Sequence, residues 1–265
     1  MKKTTILSSM ILALGVTFSA NAAHHEASED KAKHHVTSIY QDAVANPARS
    51  EKDRSVDDRR KPGSVLEFFE IKPSMKVFDV FAGGGYYSEI LSYLVGPEGG
   101  VTLYNNAPWD AFVNKAVTPR LADNRLPNVT RLVATPESLL EQDAAQYDAA
   151  IFILGMHDIY YADPDTGWVA IDKDAFLRGI HHILKEGGVL GIIDANALPG
   201  ADNEVIGKSV HRVDPQAVID DVKKAGFTLV EESDLLRNPE DDRVSSVFSP
   251  ENRYNTDRSI LKFKK

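Results

Sequence analysis

The richest chemistry in this chain sits at Asp79-Val80-Phe81-Ala82-Gly83-Gly84-Gly85, where an apolar run beginning at Val77 breaks into three consecutive glycines. Glycine is needed where a backbone turns sharply, or where a ligand comes closer than a β-carbon permits. The residues that follow carry Ile90, Leu91, Leu94 and Val95 at helical spacing. A strand, a glycine turn and a helix in that order aim free N–H groups at whatever lies above the turn, as nucleotide-like ligands require. A second polar set falls beyond the expected ends of later strands. His157 and Asp158 follow the fourth, with Tyr160 and Tyr161 close behind. Asp194 and Asn196 follow the fifth, and His211-Arg212 precede a later helix. Histidine changes charge near neutral pH and arginine can clamp an anion. His211 is therefore the candidate proton acceptor or orienting group, Asp158 its partner or a substrate ligand, and Arg212 an anchor for an anionic group. A structural reading stands beside this one: Asp158 caps the short turn after it, with His157 packed beneath.

Two cofactor classes compete for the glycine turn. The dinucleotide fingerprint G-x-G-x-x-G is met at Gly83 and Gly85 but has Ser88 at its third glycine. The turn resembles more closely the S-adenosylmethionine (SAM) loop of class I methyltransferases, D-x-G-x-G-x-G, through Asp79, Gly83 and Gly85; Phe81 stands where the first glycine is usual. Phe81 reads either as an apolar wall against the cofactor or as the last core residue of its strand.

The chain opens Met1-Lys2-Lys3, runs apolar from Ile6 to Phe18 and reaches Ala20-Asn21-Ala22. A basic start, a short apolar core and an A-x-A site predict a secretory signal over residues 1–22 and a periplasmic or secreted mature protein. The apolar core is too short for a comfortable membrane span. With no cysteine in the chain, disulfides, thiolate metal sites and thiol nucleophiles are excluded. Net charge is −9, and removing Lys2 and Lys3 makes the chain more acidic. Nothing in that balance favours nucleic acid or an anionic membrane as partner. His24, His25, His34 and His35 lie in a polar leader that composition marks as mobile, so no metal site is assigned. The chain lacks a P-loop, a nucleophile elbow and H-E-x-x-H.

The elements that must position these residues alternate. Strands are expected at 76–81, 100–104, 129–133, 148–154 and 188–194, and helices near 86–95, 109–115, 136–141 and 172–184. A helix at 214–225 and two closing strands, Phe227–Glu232 and Ser259–Phe263, complete the pattern. A short helix is expected from Ser38 to Ala45 and another begins at Pro62-Gly63; the stretch Ser50–Lys61 between them is mostly charged. Alternation with short turns predicts a parallel sheet covered on both faces. The expected division is a signal at 1–22, a leader with a short helix at 23–46 and one α/β domain at 47–265.

Over about residues 47–265 the chain resembles the class I SAM-dependent methyltransferases, and most closely a bacterial group of predicted methyltransferases often made with a secretion signal. The segments that carry this are Asp58-Arg59-Arg60-Lys61-Pro62, Ala82–Glu89, Leu184-Lys185-Glu186-Gly187-Gly188-Val189-Leu190, His211-Arg212-Val213-Asp214, Glu232–Pro239 and Thr256-Asp257-Arg258. The resemblance implies a Rossmann-like fold, α/β with a seven-stranded mostly parallel sheet, helices on both faces and an antiparallel last strand. It implies SAM over Gly83, Gly84 and Gly85, with Asp79 nearby. Asn105 stands where an acidic residue usually meets the ribose, and Glu137 lies in the region that usually meets adenine. The function it implies is methyl transfer to a small-molecule acceptor; an exported, non-catalytic module of the same fold holding a nucleoside-like or other small ligand is the alternative. No protein partner follows from the sequence.

Overall fold

Strand β1 (Lys76–Val80) shows how the core is divided. Successive side chains of a strand point to opposite faces. Accordingly Phe78 and Val80 pack into one buried apolar cluster while Val77 packs into another. Strand β4 (Tyr147–Ile153) repeats the division, with Ala150 and Phe152 on one side and Ala149 and Ile151 on the other. Burial on both faces explains why this run is apolar without a period of two.

The computed structural model describes residues 39–265, which form one compact unit. The expected signal sequence and the leader histidines His24, His25, His34 and His35 lie outside the described residues. Helix α1 (39–44) buries Tyr40 and Ala43 against the core and so packs with the α/β unit that follows. Seven strands make one sheet: β1, β2 (Gly100–Asn105), β3 (Val129–Val133), β4, β5 (Leu184–Ala195), β6 (Thr228–Ser233) and β7 (Arg258–Lys264). Their spatial order is β3-β2-β1-β4-β5-β7-β6, with β7 antiparallel to both its neighbours and the remaining pairs parallel. This is the Rossmann-like architecture that the resemblance implies, built on the parallel sheet that the alternation predicts. No helix among the described residues is long and apolar enough to cross a membrane.

Charged segments before the sheet form α2 (Glu51–Arg54) and α3 (Asp57–Arg60), and α4 (Pro62–Phe68) starts on a proline at a tolerated position. Helix α5 (Tyr86–Val95) lies between Gly85 and Gly96, as its sequence pattern predicts. It packs with α4 on one face of the sheet, while α7 (Lys173–Ile183) and α9 (Pro215–Lys224) bury apolar stripes on the other. Helix α6 (Ala107–Leu121) runs longer than expected at both ends, and Asn106 caps its start: its Oδ1 accepts the Trp109 N–H at 3.0 Å. Helix α8 (Asn203–Val210) has no counterpart in the sequence reading. β5 also departs from it. Leu184 to Gly188, expected to end a helix and turn, joins the strand through an irregular register, Tyr147 opposite Leu184 but Ala149 opposite Val189.

Candidate active site

The switch point of the sheet lies between β1 and β4, where connections leave in opposite directions and open a crevice beyond the strand ends. Both strands finish in a left-handed residue that is not glycine: Phe81 at φ 45° and Leu154 at φ 58°. Phe81 is a core residue that also reaches the crevice. Its ring stacks on Tyr104 and Phe176 and meets Phe152 and Trp168 edge-on, yet the residue also lines the crevice. Its carbonyl accepts the indole N–H of Trp109 at 3.3 Å, bringing α6 over the strand end.

The glycine turn forms the floor of a cavity of about 940 Å³ that also reaches Asp79, Arg60, Tyr86 and Tyr87. Gly83 has φ +58°, and a β-carbon there would meet nothing within 4 Å, so this glycine faces open space. Gly85 differs: a β-carbon would come within 2.9 Å of Leu103 and Arg120, so its job is packing. Arg120 Nε donates to the Gly84 carbonyl at 2.6 Å. Asp79 is buried, with the Ser88 hydroxyl donating to it at 2.6 Å. Burial, opposed by that hydrogen bond and by the charge of Arg60, pushes its pKa up to about 7.

Asn105 is corrected by the structure. It is fully buried, its Oδ1 accepts the Gly83 N–H at 3.0 Å, and its Nδ2 donates to the Gly83 carbonyl at 3.2 Å. Both amide groups bond the loop and the residue lines neither cavity, so the structure places Asn105 beneath Gly83 as a positioning residue rather than facing a ribose. Glu137 is exposed, lines neither cavity and accepts the Asp172 N–H at 3.4 Å.

The mostly charged stretch before the sheet forms a wall of this cavity. Arg49 is buried and grips Asp57 with two hydrogen bonds of 2.7 and 2.8 Å. Asp57 in turn accepts the Tyr86 hydroxyl at 2.5 Å. Arg60 lies 4.1 Å from the Tyr86 ring centroid, a cation–π contact that sets the guanidinium above α5. No periodicity signals this arrangement.

A second cavity of about 450 Å³ opens beyond β4 and β5, walled by Trp109, Phe112, Trp168 and Phe248 among others. Trp109, Leu154, Arg253 and Tyr254 line both cavities. His157 and Asp158 occupy a short 3-10 turn, Met156–Ile159, at the end of β4; His211 ends α8 in a left-handed conformation. The structure brings these three together, with Asp194 of β5 behind them. The N-cap position of that turn is Gly155, so Asp158 lies within it and is not its cap. His157 Nδ1 lies 3.0 and 3.1 Å from the two Asp194 oxygens, and its Nε2 lies 3.2 Å from His211 Nδ1 and 3.4 Å from Asp158 Oδ1. The Tyr161 hydroxyl donates to Asp158 at 3.0 Å.

Burial alone would lower the pKa of His157; Asp194 and Asp158 outweigh it and lift the group to about 9. Burial and then the charge on His157 push His211 down to about 4, against a smaller pull from Asp194. The direct hydrogen-bonding partner of His211 is His157 rather than Asp158. Arg212 is corrected too. It is fully buried, paired with Asp241 through two bonds of 2.8 Å and donating to the carbonyls of Asn196 and Ser245, so it fastens loops instead of anchoring a ligand. The buried cation that does line the cavity is Arg258, missed by the residue-by-residue reading. It donates to the carbonyls of Arg59, Tyr254 and Thr256 and makes no ion pair among the described residues. Burial lowers its pKa to about 10.

No family model matches the chain. Over 131 residues it is 29% identical to the ubiquinone/menaquinone biosynthesis C-methyltransferase UbiE of Shewanella oneidensis, and over 130 residues 27% identical to that of Shewanella baltica. Each match covers 49% of this chain and 46% of the relative, so the chain spans about half the length of the curated relatives it matches. Among solved structures, a SAM-dependent methyltransferase from Aquifex aeolicus aligns with a TM-score of 0.53 and 20% identity, covering 78% of this chain and 90% of that one. The [4+2]-cyclase SpnF aligns with a TM-score of 0.54 and 15% identity, covering 80% and 81%. At these identities the likeness establishes the fold, that of the class I methyltransferases.

Proposed function

We propose that this chain is a SAM-dependent methyltransferase acting on a small molecule with an apolar, partly aromatic body. One observation carries the reading: the cavity over the glycine turn and the cavity over His157 and His211 share four wall residues, so their ligands would abut. Direct group transfer demands such contact between donor and acceptor. The first cavity fits SAM in its turn. Gly83 leaves space above the loop, Asn105 holds that loop in shape, and Arg60 offers a cation for a carboxylate. The acidic ribose partner usual at the end of β2 is replaced by Asn105, so ribose recognition must come from elsewhere in the wall. SAM, when bound, supplies an electrophilic methyl group. The backbone of residues 82–84 and Phe81 would hold its amino-acid end, while Trp109 and Leu154 exclude water between the cavities. In the second cavity the aromatic walls would sandwich the acceptor, and His211 and Arg258 would orient its polar end. The quinone-pathway names of the curated relatives agree with an acceptor of this shape.

Calorimetric titration with SAM, S-adenosylhomocysteine and NAD tests the cofactor reading. SAM and its demethylated product should bind and NAD should not; binding of NAD alone would overturn it. A second reading is a ligand-holding module without turnover. The export expected from the N-terminus favours it, because an exported chain would be separated from cytoplasmic SAM. SAM binding with no transfer of labelled methyl to any member of a phenol, quinol, amine and thiol panel would support that second reading.

A further inference from the structure

The His157–Asp158–His211 cluster has a geometry that proton sharing does not require. We propose that His157 Nε2, His211 Nδ1 and Asp158 Oδ1 form a binding site for one divalent transition-metal ion, zinc foremost, with its open coordination positions facing the 450 Å³ cavity.

Four observations support this. First, the three ligand atoms all lie within 4.8 Å of one another, and two of the separations are 3.2 and 3.4 Å. Bonds of about 2.0–2.1 Å around a tetrahedral zinc set neighbouring ligands about 3.3–3.4 Å apart. Second, His157 carries the outer partner that metal-bound histidines almost always have: Asp194 accepts from Nδ1 and so directs the Nε2 lone pair toward the cluster. Asp194 also accepts the His157 backbone N–H at 2.9 Å, which fixes the ring from behind. Third, the Tyr161 hydroxyl donates to the same Asp158 Oδ1 at 3.0 Å and so fixes where that oxygen sits. Fourth, two buried carboxylates face two imidazoles here; a dication with both imidazoles neutral brings the cluster to zero charge, which a low-dielectric site favours. The donor set of two histidines and one carboxylate suits zinc, iron(II) or manganese better than magnesium or calcium, which prefer oxygen.

The three ligands come from the end of β4 and the end of α8, and the outer partner comes from β5. The bound ion would take the place of the proton between His157 and His211. Its remaining positions would be filled by water, or by a hydroxyl, thiol or amine of a small molecule in the cavity. A metal lowers the pKa of such a ligand and fixes its position. That role toward an acceptor rests on the methyl-transfer reading; the metal site does not, and its test uses neither SAM nor acceptor.

The test titrates zinc into the full chain by calorimetry, beside Asp158→Asn and His211→Asn; asparagine tolerates the left-handed backbone at position 211. Leader histidines contribute equally to all three proteins, so the difference isolates this site. Wild type should bind one equivalent more than either variant. Asp194→Asn should weaken that equivalent by about 10–100-fold, as loss of an outer partner typically does. Cobalt(II) provides a readout independent of folding in the variants: the wild-type complex should show the intense visible bands of a four-coordinate N/O site. Equal zinc stoichiometry and affinity in wild type and both folded variants would overturn the proposal. So would a wild-type cobalt spectrum showing only the weak bands of six-coordinate ion.

Discussion

Replacing Asn105 by aspartate separates two accounts of the glycine loop. In the structure the buried amide holds Gly83 by two hydrogen bonds, donating one and accepting one. Aspartate keeps the acceptor and loses the donor, setting an oxygen against the Gly83 carbonyl at about the present 3.2 Å. A net hydrogen bond is worth about 0.5–1.5 kcal/mol, and a buried group left unpaired costs about 1–3 kcal/mol more. The expected loss of stability is therefore roughly 2–4 kcal/mol, and Asn105→Ala, which loses both bonds, should cost at least as much. If about 1.4 kcal/mol of that loss falls on the loop conformation that receives the cofactor, SAM affinity drops about tenfold. Urea midpoints and SAM calorimetry on wild type, Asn105→Asp and Asn105→Ala measure both quantities. A residue facing a ribose would behave in the opposite way, since a carboxylate makes the stronger hydrogen bond to a hydroxyl. Tighter SAM binding in Asn105→Asp with an unchanged midpoint would refute the loop-holding role.

Three further outcomes are expected. Gly83→Val should abolish SAM binding at a modest folding cost of about 1–2 kcal/mol for its left-handed backbone, whereas Gly85→Val, forced against Leu103 and Arg120, should fail in thermal melts first; equal melting losses would contradict this. Arg212→Ala should cost about 3–5 kcal/mol by leaving Asp241 buried and unpaired, while Arg258→Met should act mainly on acceptor KM, so a stability profile reversed between the two would assign them wrongly. Asp79, lifted to about 7 in the fold from 3.8, keeps a proton that the unfolded chain releases. Its contribution to stability therefore falls as pH rises from about 4 to about 7, and urea midpoints across that window should decline less in Asp79→Asn than in wild type.

The sheet was legible because its signals are local. Val77–Val80, the three glycines and the α5 stripe each carry their own period or punctuation, and β4 announces its double burial by composition. What escaped was set by partners distant in sequence. Lys185-Glu186-Gly187-Gly188 reads as a turn, yet Leu184 pairs with Tyr147 and draws the segment into β5. α8 has a proper cap in Asp202 but is short and buries only Gly207, so it was not read from the sequence although it packs near His157. Asn105 and Arg212 were correctly placed near strand ends and misassigned, because a sequence shows where a polar group falls and not whether backbone or Asp241 already occupies it. The reverse error hid Arg60 and Arg258: charged residues in charged company look solvated until Tyr86 and the Arg59 carbonyl are seen beside them.

Leu154 ends β4 in a conformation that costs a non-glycine residue about 1–2 kcal/mol, and it remains half-buried between the two cavities. Phe81 also has a positive φ, and its ring contacts with Tyr104 and Phe176 help to offset the cost; Leu154 instead lines both cavities. The two positions therefore answer to different selective pressures. A screen for heat resistance alone should drift toward asparagine at 154, where the left-handed turn comes easily, while a screen for turnover should keep leucine there as the hydrophobic seal between donor and acceptor. The strain at the end of β4 thus marks where robustness and reactivity compete within a single side chain.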